Sequence, residues 1–476
     1  MSSLMLPDIM LLVLGVLVLV ADLVVGNSQK SKSLTFNITW VGALVILVTL
    51  VLLPKGETFT YFGGYQIFPL GSLFKIIFTL TLLLTTLFSG SYFKEKGNLR
   101  GMLNHSGEFY TILCFVTLGM FTLVSSKDFL TLFVGLELAT IPLYVLTGFM
   151  KGDKSSAEAS TKYIIIGSVS TAIFLFGLSF IYGQVGSLRF EEVAVYLITH
   201  QQYPLAWLGI LFLIVSIGFK LALAPFHQWA PDVYEGAPTP VTAFLSVGSK
   251  TAGIAVLVLL FYGPFAAIRD QFIPILLVLA CITMVVGNLG AMRQTNLRRF
   301  MAYSSISQAG YLLVAFVGDK SMAVSSILFY LIIYAVSNFT VFFVIGVIGQ
   351  KRSETFASLR GLSKQSPILA MVLAFAMFSL AGIPPLAGFT GKFFLFASAA
   401  EGGYYALIIF AALNSTVSLY YYLCVLKEAY ITPPDEELTP LEFSFNQRTS
   451  LLLLTLGMLV LGLVPAISTY VKNVIQ

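Results

Sequence analysis

WLGILFLIVSIGFKLALAPFHQWAPDVYEGAPTP, residues 207–240, begins as a membrane span and does not finish as one. Its first half is apolar apart from Ser216 and Lys220. Pro225 and Pro231 then each remove a backbone donor, so the helix should break near 224–231. Unwound backbone at membrane depth is tolerated only where protein buries it or it lines a wet cavity. A second stretch, AMFSLAGIPPLAGFTGKFFLF at 376–396, repeats the pattern. Gly382, Pro384 and Pro385 interrupt it, and Lys392 follows. Broken helices paired between two halves point to the ion site of a repeat-built transporter.

The chain around these breaks reads as an all-α polytopic membrane protein. It is 57% hydrophobic and 10% charged, against about 45–50% apolar and 25% charged in soluble domains. Fourteen apolar runs long enough to span a bilayer are expected between residues 7 and 470. The broken runs are the seventh and the twelfth. They stand five helices apart, and an odd offset inverts a repeat in the membrane. Two inverted five-helix repeats are therefore expected, spans 4–8 (108–262) and spans 9–13 (272–426). A three-helix segment (1–107) precedes them, and a cytoplasmic loop with the last helix (427–476) follows, all in one membrane domain. Asp435, Glu436 and Glu437 make that loop acidic.

Lys and Arg resist translocation, so loop charges set orientation. Loops after odd-numbered spans hold 16 basic residues, and the others with the C-terminal tail hold 6. This bias places the odd-span loops in the cytoplasm and both termini outside. It also accounts for the net charge of +5 without a nucleic-acid partner. The first apolar run lacks a basic leader and a convincing cleavage site, so it is expected to be retained. The three cysteines lie singly in different spans, with no metal or disulfide spacing. No glycine-rich phosphate loop or cysteine–histidine cluster points to a redox centre.

Glu137, Lys162, Lys220, Lys250 and Lys392 fall inside apolar spans. A charge at the bilayer centre costs roughly 2.5–3.5 kcal/mol on insertion scales. Glu137 lies eight residues into its span, roughly 12 Å deep. Alone it would protonate; a nearby cation lets it ionise. A buried lysine is pushed toward neutrality, so its charge becomes switchable. Movement of Glu137 toward Lys220 would favour the ammonium there, and movement away would release a proton to Lys250. Lys392 would act in the second half, on the far side of its break. Lys162 sits near a span end, where snorkelling competes with a functional role. For Lys75 snorkelling is the preferred reading. His227 either shuttles protons between Lys250 and the cytoplasm or braces the broken loop. Tyr303, Ser304, Ser305, Ser307, Gln308 and Tyr311 either order water or bond between helices.

FKLALAPFHQWAPDVYEGAPTPVTAFLSVGSKTAG (219–253) resembles the signature of subunit N of bacterial proton-pumping NADH:quinone oxidoreductase, respiratory complex I. Its mitochondrial and chloroplast counterpart is subunit 2. GLELATIPLYVL (135–146), EASTKYIIIGS (158–168), NLRRFMAYSSISQAGY (296–311) and LAGIPPLAGFTGKFFLF (380–396) agree in the same order. The resemblance implies fourteen helices with two inverted repeats. It implies proton translocation through Glu137, Lys220, Lys250 and Lys392, with Lys162 as a further lysine. It implies no cofactor on this chain, with flavin, iron–sulfur clusters and quinone on partner subunits. It implies an obligate hetero-oligomer in the bacterial inner membrane, beside subunits like M, K and J and lipids. Two competing readings are an Mrp-type cation/proton antiporter subunit and a scaffold with a dead ion site. The long 219–253 match argues against the first, and the retained Glu–Lys set against the second.

The charge bias yields a direct test. Tags in the 94–100 and 351–364 loops should be protected in the cytoplasm, and a tag after Gln476 should be labelled from outside. A cytoplasmic C-terminal tag on a functional protein would show the span count to be wrong.

Overall fold

In a computed structural model, residues 3–26, 29–53, 57–61, 63–100, 105–434, 445–464 and 469 are described. Asp435, Glu436, Glu437 and Gln476 lie outside them. Helices α1 (Leu6–Val25) and α2 (Gln29–Leu52) lead through a small hairpin, β1 (Phe59–Tyr61) with β2 (Tyr65–Ile67), into α3 (Pro69–Arg100). Then come α4 (Ser106–Val124), α5 (Phe129–Thr147), α6 (Lys154–Val185) and a short α7 (Phe190–Thr199). The first broken span is α8 (Pro204–Lys220) with α9 (Trp229–Gly236). The next span joins α10 (Thr239–Phe244) to α11 (Lys250–Phe261) through a π-helical turn, Leu245–Ser249. The second half holds α12 (Arg269–Ala291), α13 (Leu297–Val314), α14 (Lys320–Lys351) and the one-turn α15 (Leu362–Gln365). The second broken span, α16 (Pro367–Ala381) with α17 (Ala387–Glu401), and then α18 (Tyr405–Tyr430) and α19 (Phe445–Leu463), complete it.

Among the described residues, eleven helices are long and apolar enough to cross a membrane, and three shorter apolar helices accompany them. They fall on the fourteen expected segments. The outer helices turn Leu23, Val24, Leu52, Ile165, Val169 and Ile409 outward, as lipid contact requires. The spans of α10–α11, α13 and α14 are almost wholly buried and form the centre.

Two helix pairs, α4 with α5 and α12 with α13, pack especially closely. Small residues allow it. A Cβ on Gly119 would lie 2.4 Å from the Ala139 backbone nitrogen, and one on Gly287 2.5 Å from that of Ser307. The first contact holds α5, and with it Glu137, against the body.

The breaks depart from expectation in one detail. The first opens at residues 221–228. Pro225 lies in it, but Pro231 lies in the first turn of α9. A proline is tolerated there because a first-turn N–H needs no helical acceptor. Pro384 and Pro385 lie in the second break, as expected.

The backbone freed at the breaks is satisfied by protein groups. The Phe219 carbonyl accepts from Trp229 Nε1 at 2.9 Å. The Ala224 N–H donates to Thr283 Oγ1 of α12 at 3.0 Å. At the second break the Leu380 carbonyl accepts from Gln308 Nε2 at 3.1 Å. The Ala381 carbonyl accepts from Lys392 Nζ at 3.0 Å and from Ser415 Oγ at 3.2 Å.

Candidate buried ion pathway

Glu137 projects from α5, whose start is capped by Asp128 accepting from the Thr131 N–H at 2.7 Å. Its Oε1 accepts from Thr171 Oγ1 of α6 at 2.9 Å and lies 3.8 Å from Lys220 Nζ. Lys220, the last residue of α8, also donates to Thr140 Oγ1, one turn beyond Glu137, at 3.1 Å. The ammonium sits where the carbonyls at the helix end favour positive charge. The expected pair is therefore formed, at a separation that a small shift of either side chain would make or break. A cavity of about 20 Å³ opens beside Lys220, bounded by Thr140, Ser249 and Gly253. That is room for about one water. The cavity lies at the first lysine, and Ser249 of its wall directly precedes Lys250 in the chain.

Lys250 follows the π-helical turn and is buried. Its Nζ donates to the Ser305 carbonyl of α13. Lys392 is buried in α17, but its side chain folds back across the break. Besides Ala381 O it donates to Ser415 Oγ of α18 at 3.0 Å. Its charge thus caps the end of α16 instead of lying beyond the break, because a C-terminal helix end attracts a cation.

One face of α13 joins these two lysines. Ser305 accepts from Lys250. Three residues on, Gln308 donates to Leu380 O and to Tyr422 Oη, each at 3.1 Å, and accepts from Tyr330 Oη. Three further on, the Tyr311 ring lies 4.5 Å from the Lys392 ammonium. Residues 305 to 311 span roughly 9 Å of helix. Ser304 pairs with Tyr422 at 2.6 Å and Ser307 with Tyr421 at 3.4 Å. The polar stretch thus bonds between helices, the commoner use of such residues in membranes.

The secondary residues lie elsewhere. Lys162 is part-exposed and pairs with Asp232 of α9 at 2.7 Å and Glu158 at 2.8 Å. Asp232 also meets Arg299 at 2.6 Å, and Arg299 meets Glu235 at 3.1 Å. This network ties α9 to α6 and α13, and sequence reasoning did not find it. His227 lies in the first break, with Nδ1 buried and without a hydrogen-bond partner among the described residues. Lys75 overturns the snorkelling expectation: it is buried and pairs with Asp8 of α1 at 2.6 Å. The acid near the start of the first apolar run, Asp8, was the available signal.

Comparison with known proteins follows the same lines. The family model described as NADH:quinone oxidoreductase/Mrp antiporter membrane region matches residues 126–418. The chain is 41% identical over 413 residues to "NADH-quinone oxidoreductase subunit N" of Moorella thermoacetica, covering 86% of each chain. It superposes on a chain of respiratory complex I from Thermus thermophilus with TM-score 0.79, 32% identity and 97% coverage of both. A chain of the Mrp complex from Dietzia sp. gives TM-score 0.82 at 20% identity, covering 100% of this chain and 97% of that one, a likeness of fold.

The 3.8 Å pair makes a stability prediction. Removing one buried partner strands the other and costs about 3–5 kcal/mol, whereas an apolar pair of similar volume is nearly neutral. Glu137→Leu and Lys220→Met should each lower the melting temperature in detergent more than the double variant does. Additive losses would show that the two side chains do not interact.

Proposed function

We propose, from the premise that this chain belongs to the NADH:quinone oxidoreductase/Mrp antiporter family of membrane subunits, that it moves protons in the membrane arm of an NADH:quinone oxidoreductase. Electron transfer occurs on partner subunits, which carry flavin, iron–sulfur clusters and the quinone site. The chain works as one member of a hetero-oligomer in a bacterial inner membrane, next to subunits like M, K and J, with both termini on the outer side. The two inverted five-helix units of residues 108–262 and 272–426 each contribute one broken helix.

The observation that carries this reading is the alignment of titratable groups with the two breaks. Lys220 ends α8 within 3.8 Å of Glu137, and Lys392 caps α16. The Gln308 face of α13 lies between Lys250 and Lys392. A proton held on Lys220 is stabilised while Glu137 stays near. When the carboxylate withdraws, the ammonium loses its partner and the proton passes through the water-sized cavity past Ser249 to Lys250. Lys250 hands it along α13 to Lys392, whose release delivers it to the outer half. Each lysine carries the proton as an ammonium and returns to a neutral amine, so arginine, which does not deprotonate, cannot substitute. The Mrp-type reading rests on the family model, which covers both kinds of subunit, and on likeness of fold at 20% identity.

Proteoliposomes holding the whole complex test this. Lys392→Ala and Lys392→Arg should both slow turnover and lower proton uptake per electron, and Lys220→Arg should fail likewise. A normal rate and a normal proton-to-electron ratio in Lys392→Ala would leave Lys392 a structural charge.

A further inference from the structure

The Asp8–Lys75 pair is not used by the pathway above, yet both of its members are buried. Asp8 is the third residue of α1, and Lys75 the seventh of α3. Only 1% of the Lys75 side chain and 7% of that of Asp8 are exposed. Asp8 Oδ1 accepts from both Lys75 Nζ, at 2.6 Å, and the Tyr65 hydroxyl of β2. Among the described residues, Asp8 Oδ2 is buried with no hydrogen-bond partner. Lys75 has three donors and, among the described residues, one acceptor. Aromatic faces fill the rest of its surroundings, Phe121 of α4 at 5.3 Å and Tyr65 at 5.5 Å.

Stability does not account for this arrangement. A buried ion pair contributes no more than apolar residues of the same volume, and often less. An acid in the first turn of α1 suits the helix dipole, but that leaves the lysine unexplained. With no protein donor among the described residues, Asp8 Oδ2 is open to a proton or to water.

The pair also stands close to the pathway. A Cβ on Gly248, in the π-helical turn before Lys250, would lie 3.2 Å from the Thr81 methyl of α3. Thr81 is six residues from Lys75, roughly 9 Å along the helix. On the charge-bias topology, Asp8 and Lys75 lie toward the face opposite the basic loops, where protons leave.

We propose that Asp8, Lys75 and Tyr65 form a further proton-holding site on a branch from Lys250 to the outer face, beside the route through Lys392. A proton arriving there forms an O–H bond at the free Asp8 Oδ2. Protonation removes the counter-charge of Lys75 and strands its ammonium, so the added proton is held only briefly. That O–H bond then breaks to water on the outer side, restoring the carboxylate paired with Lys75. The proposal rests on the proton-pumping reading and deepens it.

The test uses the intact complex in proteoliposomes, with proton uptake per electron as the readout. Asp8→Asn keeps the shape and can still bond Tyr65, but holds no proton. Asp8→Leu with Lys75→Met replaces the pair by apolar volume. Both should assemble and transfer electrons with a lowered proton-to-electron ratio. Infrared difference spectra of the turning-over complex should show a carboxylic-acid band that Asp8→Asn removes; this readout holds even where the apolar pair fails to assemble. Wild-type ratios in both variants while Lys250→Ala loses pumping would reduce the pair to a structural staple and overturn this inference alone. An unchanged ratio in Lys250→Ala as well would overturn the pumping reading and this site with it. An infrared band that persists in Asp8→Asn would also overturn it.

Discussion

Backbone carbonyls released inside a membrane must find donors within the protein, and the rest of this structure follows from how that is met. Ending α16 at Ala381 frees carbonyls in a region where lipid offers none. Lys392, Ser415 and Gln308 supply the donors. At the first break Trp229 donates to the Phe219 carbonyl, Thr283 accepts from the Ala224 N–H, and Lys220 sits at the end of α8 beside Glu137. The same helix ends that would be defects in hydrocarbon thus become anchoring points for cations. A break without a partner would be costly, and a lysine without a helix end or carboxylate would be equally so.

This constraint explains why the titratable groups cluster as they do. The almost wholly buried helices, α10–α11, α13 and α14, run through the middle of the bundle. Helix α13 presents residues at intervals of three toward Lys250, the second break and Lys392. At the other edge, Lys162, Asp232, Glu235 and Arg299 fasten α9 to α6 and α13. The first half is in this way joined to the second both by its buried lysines and by an ion network at one end of the bundle.

Much of this was legible in the sequence, for identifiable reasons. Long apolar runs gave the fourteen segments, because membrane spans have a minimum length. Proline and glycine at membrane depth located both breaks. The cost of buried charge identified Glu137 and Lys220, which do meet. What was not legible depended on distance in space. Lys75 was read as snorkelling because its partner Asp8 lies 67 residues away. Pro231 counted as a breaker, since sequence alone did not show that a helix begins just before it. Lys392 was placed beyond its break because a helix register says nothing of where a long side chain bends. The hairpin β1–β2 and the amphipathic α7 are too short to register against the spans around them.

The central claim is that protons cross between the halves along α13, and Gln308 is the group that stands between Lys250 and Lys392 there. Gln308→Leu keeps most of the volume and removes the amide that bonds Leu380, Tyr422 and Tyr330. Proton uptake per electron by the reconstituted complex is the direct measurement. A lowered ratio with electron transfer retained is the predicted result. An unchanged ratio and rate would contradict the route along α13.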